Sequence, residues 1–261
     1  MSSLPLSGRR ALVLGASAGI GRATALALAA QGASIIALAR RAERLEALLP
    51  ELRAAGAPSA TALVQDLDDR VGLAAAVDTL LADGPIHVLL HNTGGPPGGP
   101  LLTVEADVLA TFFARHVLTA QLLASRLVPG MTAAGFGRIV TVTSTSVYEP
   151  IPNLGASNTI RAAMAGWAKS LARELPPGVT INNVLPGFTD TERLESLAAG
   201  KAARTGTTAD AVRTAWLSQV PEGRLIQPEE TAATIAFLCS PAGGAVRGVS
   251  LAVDGGRLRG I

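Results

Sequence analysis

The sequence predicts an α/β domain with a doubly wound, seven-stranded parallel sheet and helices on both faces. Three observations predict it. Short apolar runs alternate with longer helical ones from residue 11 to residue 253. The short runs are continuously apolar, as strands buried on both faces are. The 261 residues, 48% of them hydrophobic, suffice for one large core, and no linker or internal repeat divides them.

Taken in order, residues 11–14 read as the first strand and run into glycines. Residues 20–31 form an Ala/Leu-rich helix that Gly32 stops. A strand at 34–39 precedes a helix at 42–55 closed by Gly56, and a strand at 61–64 precedes a helix at 69–82 closed near Gly84. The fourth strand is expected at 86–90, followed by one long helix over 105–128. The fifth, at 138–143, leads to a helix over 157–174 that stops before Pro176-Pro177. The sixth strand spans 179–184. A helix over 228–239 carries proline in its first turn, and the last strand, 249–253, ends at Asp254-Gly255-Gly256. Residues 189–222 interrupt the alternation with a polar, partly helical stretch that reads as a lid over a single domain spanning 1–261.

Composition narrows the function. The net charge is +2, with no Lys/Arg run and no basic stripe interleaved with aromatics, which argues against nucleic acid. Charged residues are only 16%, so part of the surface is expected to be buried between subunits. One cysteine, Cys239, precludes an internal disulfide and fits a reducing compartment. The first ten residues show no leader pattern, and no unbroken apolar run has the length of a membrane span. A cytoplasmic location is expected. His87, His91 and His116 have no acid or cysteine at ligand spacing, so no metal is expected. No Gly-x-Ser-x-Gly elbow suggests a hydrolase. Cys239 lies in an apolar helix turn and reads as core. Trp167 and Trp216 suit a pocket or an interface equally.

The chemistry begins after the first strand, at Gly15-Ala16-Ser17-Ala18-Gly19-Ile20-Gly21. A dinucleotide diphosphate needs a tight turn, close backbone approach and a helix N-terminus with free N–H groups. Glycines 15, 19 and 21 supply these, placed between a strand and a helix as the motif requires. This makes the domain a Rossmann fold. At the end of the second strand, where NAD-specific sites usually carry an acid, stand Arg40 and Arg41. A guanidinium forks a phosphate, and a cation at a helix start opposes the dipole, so NADP(H) is favoured over NAD(H).

This GxxxGxG spacing resembles that of the short-chain dehydrogenase/reductase family, and the resemblance continues along nearly the whole chain. Asp66, with Leu67, matches the acidic position near the adenine. His91-Asn92-Thr93-Gly94 resembles the family's Asn-Asn-Ala-Gly. Pro186-Gly187 matches the pair flanking the nicotinamide, Thr191 the threonine that meets its amide, and Val253-Asp254-Gly255-Gly256 the C-terminal signature. The resemblance implies hydride transfer between a nicotinamide and a small-molecule carbonyl or alcohol. It also implies a homo-oligomer, a tetramer or dimer, built on the helices at 105–128 and 157–174.

The catalytic positions depart from the family. Ser144 matches the serine that orients the substrate oxygen. The positions of the family's tyrosine and lysine hold Ser157 and Arg161, in Ser157-Asn158-Thr159-Ile160-Arg161. Their i, i+4 spacing keeps both on one helix face. A serine hydroxyl is shorter and far less acidic than a phenol, and arginine keeps its proton. Arg161 can still bind the ribose and stabilise an alkoxide. His116, at the family's relay asparagine, is a candidate proton relay or a packed helix residue. Tyr148, the single tyrosine, is a candidate for the missing acid, lines the pocket, or does neither; Glu149 is a weaker candidate acid. Every residue from 94 to 100 is Gly or Pro, a loop that is stiff yet allows close approach. With Ser-Asn-x-x-Arg, it resembles an atypical branch labelled 3-oxoacyl-carrier-protein reductase-like. The function expected is an NADP(H)-dependent oxidoreductase; the alternative is a non-catalytic dinucleotide-binding subunit or sensor.

Overall fold

Seven apolar runs become the strands of one parallel sheet: β1 Arg10–Leu14, β2 Ser34–Ala39, β3 Ala60–Val64, β4 Val88–His91, β5 Gly137–Val142, β6 Val179–Pro186 and β7 Ser250–Val253. The computed structural model describes residues 4–260. Strand order is β3-β2-β1-β4-β5-β6-β7, so the winding reverses between β1 and β4. Val13 is in register with Ala37 and Leu90, and Leu90 with Val140, which brings the carboxyl ends to a common edge. Crevices at such a reversal bind ligands in open α/β sheets.

Alternate side chains of β1 explain the two layers. Ala11 and Val13 face a core shared with Leu28 of α1 (Gly19–Ala30), Leu45 of α2 (Ala42–Ala54) and Ile235 of α9 (Pro228–Cys239). Leu12 and Leu14 face Leu73 of α3 (Arg70–Ala82), Leu123 and Leu127 of α5 (Thr119–Ala133) and Ala168 of α6 (Gly155–Glu174). Leu73, Leu123 and Leu127 are fully buried, and each stabilises by about 2 kcal/mol. Cys239 is buried in the first core, as its helix turn suggests.

Two expected elements differ. β4 begins at Val88 rather than at residue 86. The long helix is α4 (Ala106–Phe113), a π turn (Ala114–Leu118) and α5. Side chains hold the widened turn: His116 Nδ1 lies 2.9 Å from Phe112 O, and Thr119 Oγ1 donates to Ala114 O at 3.1 Å. The helix also passes Pro129 and ends at Ala133, since proline removes only one N–H from the ladder. Together, Ala106–Ala133 has the length and hydropathy of a membrane span, which no unbroken apolar run predicted. Here it lies on the sheet, with Leu123, Leu127 and Met131 in the core.

Residues 189–222 are mostly helical: α7 Glu192–Thr205 and α8 Ala209–Leu217. Thr191 and Thr208 cap them, accepting from Leu194 N at 3.3 Å and Ala211 N at 3.1 Å. They share a small core of Phe188, Ala198, Ala202, Val212, Trp216 and Val220, beside the sheet edge.

Candidate active site

A cavity of about 720 Å³ runs along the carboxyl edge, from the β1–α1 turn to Trp216. The sequence-selected residues that line it include Gly15, Ser17, Gly19, Ile20, Arg40, Arg41, Asp66 and Leu67 at one end. Asn92, Thr93, Gly94, Ser144, Ser157, Arg161, Pro186, Gly187 and Thr191 line the rest. Gly21 and Tyr148 do not.

The turn is built by close backbone approach. Gly15 has φ +68°, and a Cβ there would meet Asn92 Nδ2 at 2.6 Å. A Cβ on Gly21 would sit 2.2 Å from Gly15 O, so Gly21 packs the turn from behind. α1 starts without a side-chain cap and without an acid in its first turn, which leaves its N–H groups free for an anion. That uncapped end opening into the cavity fits a dinucleotide diphosphate.

Cations cluster at the mouth of this turn. Arg41 donates to Ser17 Oγ from Nε at 3.2 Å and from Nη2 at 3.0 Å. Arg40 stands 3.7 Å from Asp66. Glu192, from α7, accepts from Arg41 at 3.1 Å and Arg44 at 2.6 Å, and these guanidinium groups hold its carboxyl below the usual range. The sequence gives no local sign of Glu192, which comes from far along the chain.

At the centre, two residues past the end of β5, Ser144 Oγ accepts from Ser146 N at 3.1 Å and keeps its own proton free. Ser157 and Arg161 share one face of α6. Asn158 beside them makes a two-way bond to Ile151, accepting from its N at 3.3 Å and donating to its O at 3.0 Å. It fixes the preceding loop, a role the spacing did not suggest. Asn153 in that loop has φ +60°, and its carbonyl accepts from Gly99 N at 2.7 Å. The Gly/Pro segment is thereby zipped to the start of α6. Arg161 is buried and donates to Val142 O at 2.7 Å and Thr93 O at 3.4 Å. Burial, with Arg193 nearby, pulls it down to about 10, so it stays charged at neutral pH.

Behind Arg161 lie two buried histidines. Burial pushes His91 to about 4 and His116 to about 2. Phe112 O can only accept, so His116 Nδ1 carries its hydrogen, and Nε2 remains a buried acceptor without a partner. Neutral His116 can hold a water but has no proton to give at pH 7.

Tyr148 is turned toward β7. It is 58% exposed, outside the cavity, and its hydroxyl donates to Ser250 O at 3.0 Å. The short turn 145–147 swings it over β7. Glu149 is taken too: its Oε1 accepts from Arg259 N at 2.9 Å. Sequence reasoning missed Arg193, Lys201, Arg204 and Arg257, which also line the cavity. The regular spacing along 193–204 was the available signal.

Comparison with known proteins matches these features. A family model described as enoyl-(acyl carrier protein) reductase matches residues 15–257. The chain is 33% identical over 257 residues to the 3-oxoacyl-[acyl-carrier-protein] reductase of Pseudomonas aeruginosa, covering 97% of this chain and 98% of that one. L-sorbose reductase from Gluconobacter frateurii, solved with NADPH and L-sorbose, superposes with a TM-score of 0.92 at 27% identity, each chain covered completely. The 3-ketoacyl-(acyl-carrier-protein) reductase from Brucella melitensis, solved with NADH, gives a TM-score of 0.83 at 28% identity, covering 97% of this chain and 99% of that one. The chain belongs to the short-chain dehydrogenase/reductase family of oxidoreductases.

Proposed function

We propose that the chain is an NADP(H)-dependent oxidoreductase that interconverts a carbonyl and an alcohol, with Ser157 and Arg161 at the family's tyrosine and lysine positions. The observation that carries this reading is one cavity holding both the uncapped start of α1 and the Ser144–Ser157–Arg161 group.

The amides at Gly19 and Ile20, with Ser17, would hold the diphosphate. Arg40 and Arg41 would take the 2′-phosphate that distinguishes NADP(H). Asp66 and Leu67 would border the adenine, and Asn92, Thr93, Gly94, Pro186, Gly187 and Thr191 the nicotinamide half. Arg161 would hold the ribose. When bound, the cofactor supplies hydride to the carbonyl carbon. Ser144 donates its free O–H to the substrate oxygen. Arg161, with no carboxylate partner among the described residues, stabilises the negative charge that gathers there. Serine is too weak an acid to end the reaction alone. Ser157 would give its proton to the substrate oxygen and be reprotonated from bulk solvent through water, so that hydride plus one solvent proton complete the alcohol.

The test is steady NADPH oxidation with a panel of ketones and aldehydes. Turnover that falls about 100-fold in Ser144→Ala with NADPH affinity kept supports the assignment. A protein that binds NADPH and reduces no carbonyl contradicts it.

Three further elements belong to this reading. Residues 189–222 act as a lid, latched by Arg193 Nη2, which donates to Pro96 O at 2.6 Å and Gly95 O at 3.3 Å. The chain forms a homo-oligomer through α4, α5 and α6, where Phe113 and Leu118 are exposed and Ala162 and Gly166 leave α6 open to close approach. It works in the cytoplasm, where its single cysteine stays reduced.

A further inference from the structure

The end of the cavity away from the α1 turn is cationic and lacks a counter-charge. α7 turns Arg193, Leu197, Lys201 and Arg204 onto one stripe, at i, i+4, i+8 and i+11, and all four line the cavity. The acids of this helix face elsewhere: Glu192 holds Arg41 and Arg44, and Glu195 pairs with Arg213. Arg257, just past Gly255 and Gly256, lines the same space and is only 9% exposed. Its Nη1 donates to Thr145 Oγ1 at 2.9 Å, while its Nε is buried with no partner.

Among the described residues, none of Lys201, Arg204 and Arg257 has a carboxylate within ion-pair distance. The acids that line the cavity, Asp66 and Glu192, sit at the other end against Arg40, Arg41 and Arg44. Beside the unpaired cations lies an aromatic wall. Phe188 and Trp216 stack at 5.1 Å, with Arg257 over the first ring at 5.2 Å and Lys201 over the second at 5.9 Å.

Arg257 is buried and Lys201 half-buried, so both give up hydration with no carboxylate in exchange, while Arg204 stands exposed on the same wall. An anion there meets this need and is drawn in by the summed field of the three. The cofactor phosphates do not meet this need, because the uncapped head of α1 and Arg40 and Arg41 already provide for them. Arg193 is engaged with Gly95 and Pro96. That leaves Lys201, Arg204 and Arg257 for the second ligand.

We propose that the substrate is an oxo compound, or its alcohol, carrying an oxyanion: a carboxylate or a phosphate ester. The anion lies among Lys201, Arg204 and Arg257, the carbon skeleton rests on Phe188 and Trp216, and the reacting oxygen points to Ser144 and Ser157. This rests on the oxidoreductase reading above and narrows its substrate to an anionic class.

The experiment is calorimetry on the full chain saturated with NADP+. The probes are oxo acids of increasing length, each with its methyl ester, and dihydroxyacetone phosphate with dihydroxyacetone. A neutral 3-oxobutanoyl thioester of N-acetylcysteamine completes the set. At least one charged probe should bind about tenfold or more tightly than its neutral twin, as expected for charge-assisted hydrogen bonds. Whether acid or phosphate wins identifies the anion. Arg257→Gln combined with Lys201→Gln should erase that ratio while NADPH still binds, which shows the variant is folded. Neutral twins or the thioester binding as well as every charged probe would overturn the proposal, as would a charge preference that survives in the double variant. A chain that fails to bind NADPH at all overturns the oxidoreductase reading and this proposal with it; NADPH binding without charge preference overturns this proposal alone.

Discussion

Arg161 donates from α6 to the carbonyl oxygen of Val142, the last residue of β5, at 2.7 Å. The bond ties the helix carrying Ser157 to the strand end carrying Ser144, and a second donor reaches Thr93 after β4. One buried cation thus sets the spacing of three segments that meet at the candidate active site.

Arg161→Ala should lower unfolding free energy by about 2–4 kcal/mol, because buried carbonyls lose their donors. It should also weaken NADPH binding. Arg161→Lys, with a single ammonium in place of the fork, should recover part of both. Denaturant unfolding and NADPH fluorescence give the two readings. An alanine variant as stable as the parent would remove Arg161 from this structural role.

Arg40 and Arg41 separate the two coenzymes. Replacing both with alanine should weaken NADPH binding by about tenfold to hundredfold and leave NADH within about threefold, since only the former carries a 2′-phosphate. Equal losses for both coenzymes would instead mean that the Arg41–Ser17 bonds shape the turn itself.

Tyr148 offers a test of which residue gives the proton. Its hydroxyl is spent on Ser250 O in an exposed position. Tyr148→Phe should cost at most about 1 kcal/mol of stability and leave kcat within about twofold. A hundredfold loss of kcat would restore tyrosine as proton donor.

The histidines set an acid response. All three are held neutral, His87 and His91 at about 4 and His116 at about 2, in each case mainly by burial. Unfolded histidine titrates near about 6.5, so on acidification the unfolded chain takes up protons first. The stability these neutral rings contribute is therefore present above about pH 6.5 and is lost as the pH falls from there to about 4 for His87 and His91 and to about 2 for His116, by up to about 1.4 kcal/mol per pH unit for each histidine. Denaturant midpoints measured across that window should drop, and less steeply in His116→Asn. A flat profile would contradict the burial of these rings.

The fold was legible because its signals are local and repeated. Continuous apolar runs marked the seven strands, and the glycines at 15, 19 and 21 marked the turn at the sheet's edge. What escaped depended on distant partners. The π turn at His116 needs carbonyls captured by side chains. Glu192 meets Arg41 only after folding. Tyr148 looked like a pocket residue from its place after Ser144, but one short turn carries it to β7. The cationic stripe of α7 was written in its spacing, yet only the wall opposite gives it meaning.

The most direct measurement is a titration of the purified chain with NADPH, followed by nucleotide fluorescence and calorimetry. Saturable one-to-one binding, tighter than that of NADH and weakened by the double alanine variant at 40 and 41, is the predicted result. Absence of binding by either reduced coenzyme at millimolar concentration would contradict the account at its root.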